Sequence, residues 1–165
     1  MPNADTSRTI DARTFWQAGA MRAVGVAVVT ARSAAGPAGF LALSATHLSA
    51  DPPLMTVSIG KTTSALATVR EAGHFAINYL ARGDGEIADA FGGKGTLQGA
   101  DRFALGEWTA LATGAPVLAT GVGAMDCRLV DIIEQEAAVI AIGRLVDFVS
   151  DLGRQPLLSF GGKIG

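Results

Sequence analysis

The most constraining stretch of this chain is its last third. There, two long strand-like runs, Gly123 to Ile133 and Val139 to Val149, are joined through Glu134-Gln135-Glu136-Ala137. Two runs rich in Val, Ile and Leu with so short a link read as strands joined by a hairpin loop. Upstream, Gly25-Val26-Ala27-Val28-Val29-Thr30 is a β-branched run, and Ala34-Ala35-Gly36-Pro37 reads as the turn after it. Gly39 to Ser49 is mixed and strand-like until Asp51-Pro52-Pro53 breaks it, because neither proline can donate to a ladder. Leu54 to Ile59 and Phe75 to Leu80 alternate in the manner of half-buried strands.

Helical signals are short. Asp11 or Thr14 is placed to cap a helix through about Met21, anchored by Phe15 and Trp16. Ser64 reads as the N-cap of Ala65 to Glu71, with Gly73 as its stop, and Glu86 to Phe91 is a third short helix. Leu97 to Trp108 is polar and irregular, and Gly114-Ala115-Pro116 opens another loop. Six or seven strands with two or three short helices describe a barrel or sandwich and not a doubly wound sheet. Residues 1–10 read as a flexible tail and residues 11–165 as one domain, with no internal repeat.

Composition narrows the function classes. Lys and Arg number 13 against 15 Asp and Glu, with no basic stripe, which argues against nucleic acid. No window approaches the ~20 apolar residues of a membrane helix. The single cysteine, Cys127, excludes an internal disulfide, so a reducing, cytoplasmic setting is expected. On its strand Cys127 reads as a small buried hydrophobe. Asp126, Asp131, Glu134 and Glu136 read as solvated hairpin edges, and His74 as a turn or surface residue.

Two glycine-rich stretches could carry phosphate chemistry. Gly83-Asp84-Gly85-Glu86-Ile87-Ala88 fits a relaxed dinucleotide fingerprint, but no apolar parallel strand follows its helix. A glycine-rich loop before a short helix is the better reading. A dinucleotide-binding enzyme built on that motif would need a mainly helical fold. Gly92-Gly93-Lys94-Gly95-Thr96 fails the spacing of a phosphate loop, although Lys94 could still meet an anion. His47 and His74 are the only histidines, and neither has a nucleophile or carboxylate at the spacing a triad requires.

The segment Gly39-Phe40-Leu41-Ala42-Leu43-Ser44-Ala45-Thr46-His47-Leu48-Ser49-Ala50-Asp51-Pro52-Pro53-Leu54 resembles the signature of the flavin reductase family, the FMN-binding split barrels that serve two-component monooxygenases. His74 to Leu80, Ile87 to Phe91, Arg102-Phe103, Trp108, Gly114 to Leu118, Asp126-Cys127, Ile142-Gly143-Arg144 and Pro156 to Leu158 follow in family order, from Phe15 to about Ile164. The resemblance implies a mainly β split barrel that forms a homodimer and passes hydride from NADH or NADPH to FMN or FAD, with a partner monooxygenase as the recipient. It places the flavin ring along Leu41, Ala42, Leu43 and Ser44, supported by Leu48 and Ser49. The phosphate falls at Lys61, Ser64 and Ala65, where a cation precedes a helix start, and the distal end falls near Phe91 and Lys94. The chain departs from the family's pattern at Leu41 and Leu43, which replace hydroxyl residues, and at Lys163-Ile164, where an aromatic is missing. It departs again at Ala138, where a histidine would stand on the nicotinamide side. A non-enzymatic flavin or haem carrier on the same barrel is the alternative.

Overall fold

The β-branched run near the N-terminus shows little apolar-polar alternation because both of its faces are covered. The computed structural model describes residues 8–165. In it β1 (Val24–Gly25) is followed by β2 (Ala27–Ser33), on which residues 27–31 are all buried. Ala27, Val29 and Ala31 point into one core cluster, whereas Val26 and Val28 point into a second on the opposite face. Strands covered on both sides lose the two-residue alternation that marks a half-exposed strand.

The remaining elements follow in order. β3 is Gly36–Ala42, β4 Thr46–Ser49 and β5 Leu54–Gly60. Helix α2 is Ala65–Ala72, β6 is His74–Tyr79 and α3 is Gly85–Phe91. A 3-10 turn covers Gly99–Ala104, before β7 (Trp108–Ala110) and β8 (Pro116–Leu118). The long hairpin is β9 (Gly123–Glu134) with β10 (Ala138–Ser150), and β11 (Leu158–Phe160) and β12 (Lys163–Ile164) end the chain.

Seven strands pair in the order β3-β2-β6-β9-β10-β5-β4, every neighbour antiparallel. The two edges, β3 and β4, are consecutive in the chain, joined by residues 43–45. A flat seven-stranded sheet would separate its edges by roughly 29 Å. The chain from Ala42 to Thr46 reaches at most about 14 Å. The sheet must therefore curl until its edges nearly meet at that end. Ser44 fastens the junction, accepting from Ser58 N–H at 3.1 Å and donating to Ser58 O at 3.4 Å.

The curled sheet holds Val29, Val57, Ile59, Phe75, Ile77, Cys127, Val139 and Ala141, capped by Leu66 and Val69 of α2. Gly143 is required beside this core. A Cβ there would lie 2.5 Å from Phe75 Cζ and 2.7 Å from Cys127 Cβ, so the ring occupies the space of the missing side chain. On the other face Asn78 anchors β8. Its Nδ2 donates to Val28 O and Thr30 Oγ1, both at 3.1 Å, and its Oδ1 accepts from Leu118 N–H at 2.9 Å.

Several expectations need correction. The turn after β2 is only Ala34-Ala35, and the strand-like stretch to Ser49 is two strands on opposite edges. Residues 116–118 form a strand, because Thr30 and Asn78 satisfy part of its backbone. The C-terminal β11 pairs with β1 and β12 with β11, and neither was foreseen. Helix α1 (Ala12–Gly19) is capped by Asp11 as expected, but Phe15 and Trp16 do not anchor it; they stand 57% and 64% exposed. Asp126 is not a solvated edge. It is fully buried and accepts from Thr113 N–H at 2.8 Å and Thr113 Oγ1 at 2.5 Å, tying down the loop before β8. His74 is half-buried, and its Nε2 has no partner among the described residues. Most of the expected tail, residues 1–7, lies outside the described residues.

Candidate functional site

A cleft of about 440 Å³ opens beside the curled edge of the sheet. Its floor comes from β3. As an edge strand β3 pairs only with β2, so the backbone groups on its other side are free to meet a ligand. Gly39 lets this floor sit against an aromatic ring: a Cβ there would lie 2.9 Å from Phe91 Cε1 and 3.0 Å from Val29 O. Gly92 is constrained in the same way, since its Cβ would come within 3.1 Å of Leu41 Cδ2.

Phe91 belongs to a cluster of three rings. Its centroid lies 5.1 Å from that of Phe103 and 5.7 Å from that of Trp108, and the last two are 4.9 Å apart, all edge to face. Trp108 Nε1–H donates to Leu105 O at 2.7 Å, which fixes the indole. The cluster clamps α3 to the 3-10 turn, and so brings Arg102, next to Phe103, to the cleft.

The facing wall is Thr62-Thr63-Ser64, the turn between β5 and α2. Thr63 N–H closes it on Gly60 O at 2.9 Å. Ser64 holds the N-cap position, yet its own backbone is helical (φ −59°, ψ −29°) and its hydroxyl makes no capping bond. A capping serine adopts extended backbone, which turns its oxygen back over the helix start. Ser64 lacks that geometry, so its hydroxyl is spare at the cleft wall. The first N–H groups of a helix have no acceptor one turn back; here Leu66 N–H bonds Thr63 O at 3.1 Å, and the Ser64 hydroxyl caps none.

Of the residues singled out in the sequence, the cleft brings together Leu41, Ser64 and Phe91. Ala42 and Ala65 are buried just behind it. Ser44 is spent on closing the sheet, and Ser49 Oγ donates to Pro52 O in the turn before β5. Leu48 is exposed, at the irregularity in the β4–β5 pairing. Lys61 pairs with Glu134 at 3.3 Å, and Lys94 with Asp89 at 3.3 Å. Ala138 opens β10 directly opposite Gly60. Arg102 was not singled out as a site residue. The only signal pointing to it was its place beside Phe103 in the family-like order.

The buried thiol is not chemically available. Burial first, and the neighbouring Asp126 second, push Cys127 up to about 12, so no thiolate forms at neutral pH. The Gly83–Ala88 stretch is structural: Asp84 accepts from Ala81 N–H at 2.8 Å and from Thr120 Oγ1 at 3.0 Å. Among the described residues, no parallel strand flanks it. Among the described residues, no group of three or more His, Cys, Asp or Glu could hold a metal, and no helix is long and apolar enough to cross a membrane.

Residues 21–165 match the model of the flavin reductase like domain. The chain is 35% identical over 156 residues to "FMN reductase (NADH) RutF" of Agrobacterium fabrum (strain C58), which covers 93% of this chain and 88% of that protein. It is 37% identical over 126 residues to "Stachydrine N-demethylase reductase subunit Stc3" of Rhizobium meliloti (strain 1021), covering 76% of this chain and 53% of that one. The chain thus spans about half the length of that relative, and 45% of another from the same strain. The crystal structure of BorF, the flavin reductase component of a bacterial two-component tryptophan halogenase, superposes with a TM-score of 0.86 at 26% identity, over 94% of this chain and 97% of BorF.

Proposed function

This chain belongs to the flavin reductase like family, and from that premise we propose that it transfers hydride from NADH or NADPH to FMN or FAD for use by a partner oxygenase. The observation that carries the reading is the cleft itself. An edge-strand backbone with a glycine and leucine floor faces a wall of three hydroxyl residues. That donor set suits a flat apolar ring bearing a phosphorylated polar chain. Gly39 and Gly92 keep the floor low enough for a ring to approach the backbone near Leu41 and Ala42.

When bound, the flavin supplies the redox chemistry. The chain's own residues orient it: Leu41 and Phe91 by apolar contact, Thr62 to Ser64 by hydrogen bonds at its phosphorylated end. Hydride transfer needs no protein acid or base, which agrees with a cleft whose lining holds no histidine or carboxylate. The name of the Agrobacterium relative favours FMN and NADH, and the Stc3 and BorF names favour an oxygenase or halogenase partner.

A homodimer is part of the proposal. Val130, Ile133, Val146, Phe148 and Val149 of the β9–β10 hairpin are 38–65% exposed, apolar surface that a second copy could cover. A second copy there would bring further residues, including those near Leu48, Lys61 and Ala138, toward a shared groove.

The test is anaerobic spectroscopy of the purified chain with FMN. Binding should perturb the flavin absorbance, and NADH should then bleach it. Bound flavin that NADH leaves oxidised would reduce the protein to a carrier, and a Soret band from the purified protein would replace flavin with haem.

A further inference from the structure

Helix α1 buries none of its residues. It presents Phe15 and Trp16 to solvent, their rings edge to face at 5.3 Å, and the exposed Met21 follows just beyond its end. There Gly161 N–H donates to Ala20 O at 2.8 Å, which ties the helix to the turn after the exposed Phe160. The charge on this arm is basic. Asp11 is occupied with capping, and Arg8, Arg13 and Arg22 have no ion-pair partner among the described residues. An aromatic, basic helix therefore stands with its apolar side uncovered.

The segment that joins β10 to β11 begins at a second cavity, a slot of about 270 Å³. Its apolar walls include Val117 and Leu118 of β8, and Val122 and Val149 at the open end of the long hairpin. The rim is acidic. Asp151 stands there, paired with Arg154 at 2.8 Å. Glu107 lies two residues before the slot-lining Thr109, its carbonyl accepts from Ala119 N–H at 2.8 Å, and its carboxylate has no ion pair among the described residues. Val149 also belongs to the hairpin surface assigned above to a second copy, so the slot continues that surface. An amphipathic helix laid in an apolar groove removes both apolar surfaces from water, and opposite charges at the rim set its orientation.

We propose that α1 is an exchanged arm, which docks Phe15 and Trp16 into the slot of a second copy and brings Arg13 to its acidic rim. The occupant is a second copy because one chain carries both halves of the match, a basic aromatic helix and an acid-rimmed apolar slot. Under two-fold symmetry the exchange is reciprocal, so each dimer seats two arms. The proposal rests on the homodimer reading above and adds the segment that makes the contact.

Sedimentation of the full chain over a dilution series measures the dimer dissociation constant. The double variant Phe15→Ser, Trp16→Ser should raise it at least about tenfold, the scale of losing aromatic anchors. Both side chains are exposed in the single chain, so circular dichroism should stay unchanged. Ala119→Trp plugs the slot from its exposed rim and should weaken the dimer to a similar degree. Arg13→Cys and Ala119→Cys then locate the contact. Mixed under oxidation, these two proteins should form a disulfide-linked heterodimer in preference to either linked homodimer, while the buried Cys127 takes no part. A dimer that either the serine pair or the plugged slot leaves intact, or one whose mixed cysteine variants do not cross-link, shows that the second copy docks elsewhere. Each of these results overturns the arm while the homodimer stands. A wild-type chain that stays monomeric at every concentration overturns both.

Discussion

The β9–β10 hairpin and the cleft at Gly39 are assembled from different ranges of the chain. In the hairpin, Val139 pairs with Glu134 and the ladder runs outward from that loop, so each strand finds its partner close by. In the cleft, the lining comes from β3, the turn before α2, the end of α3 and the 3-10 turn, four segments spread over residues 39–102. One region follows from local pattern and tight packing. The other exists only because the sheet curls and three aromatic rings hold a loop in place. Perturbations should accordingly cost folding stability in the first region and ligand affinity in the second.

The largest expected effect lies in the hairpin. Gly143→Val forces a side chain into the space of Phe75 and Cys127, where even a Cβ would come within 2.7 Å of both. Unfolding in urea should show a loss of about 3 kcal/mol or more. A loss below about 1 kcal/mol would mean that β10 can shift away from the core, and the contrast with the cleft would dissolve.

Gly39→Ala comes next and tests the cleft floor. Its Cβ meets Phe91 Cε1 at 2.9 Å and the Val29 carbonyl at 3.0 Å, contacts that a small shift of the ring only partly relieves. We expect about 1–2 kcal/mol of stability lost, together with a clear drop in FMN affinity. Full FMN affinity in that variant would show that the floor does not support the ring.

Ser64→Ala sharpens the difference between sequence pattern and geometry. A serine that truly caps a helix is worth about 1 kcal/mol. Because Ser64 makes no capping bond, the ligand-free variant should lose less than about 0.5 kcal/mol in denaturant titration. A loss of a full capping energy would contradict the helical backbone at this position.

The smallest effect concerns Glu134, where the hairpin loop meets α2. Hydrogen bonds from Arg70, then Lys61, hold its carboxyl below the usual carboxylate range. A carboxylate depressed in the folded state adds stability above its unfolded pKa and loses it as pH falls through the folded value. Thermal melts of wild type and Glu134→Gln should therefore differ slightly at neutral pH and converge in acid. The group is exposed, so added salt should also narrow the gap. A gap that widens on acidification would be inconsistent with the ion-pair trio.

Legibility followed the same division. The strands from Leu54, Phe75, Gly123 and Val139 were readable because apolar residues recur with a clear bounding turn. The helix over 65–72 was readable from Gly73, which adopts φ +67° at its end. Phe15 and Trp16 misled, because an amphipathic pattern says which side of a helix is apolar but not whether anything covers it. Asp126 misled for the converse reason: its burial depends on Thr113, which only the fold brings beside it. Of the residues that line the cleft, Leu41, Ser64 and Phe91 were singled out through resemblance and Arg102 was not, since a single arginine in a polar stretch has no local signature.

The amino-acid pattern by itself determined a β-rich chain with one long hairpin, few helices and a family likeness, because side-chain periodicity and turn residues act over a handful of neighbours. The tertiary structure alone decided that the edges β3 and β4 approach, that Lys61 is taken up by Glu134, and that Arg102 faces Ser64 without a counter-ion. These depend on distances between segments far apart in the chain. Such distances are set by how a twisted seven-stranded sheet closes on its core, and no local spacing of residues encodes them.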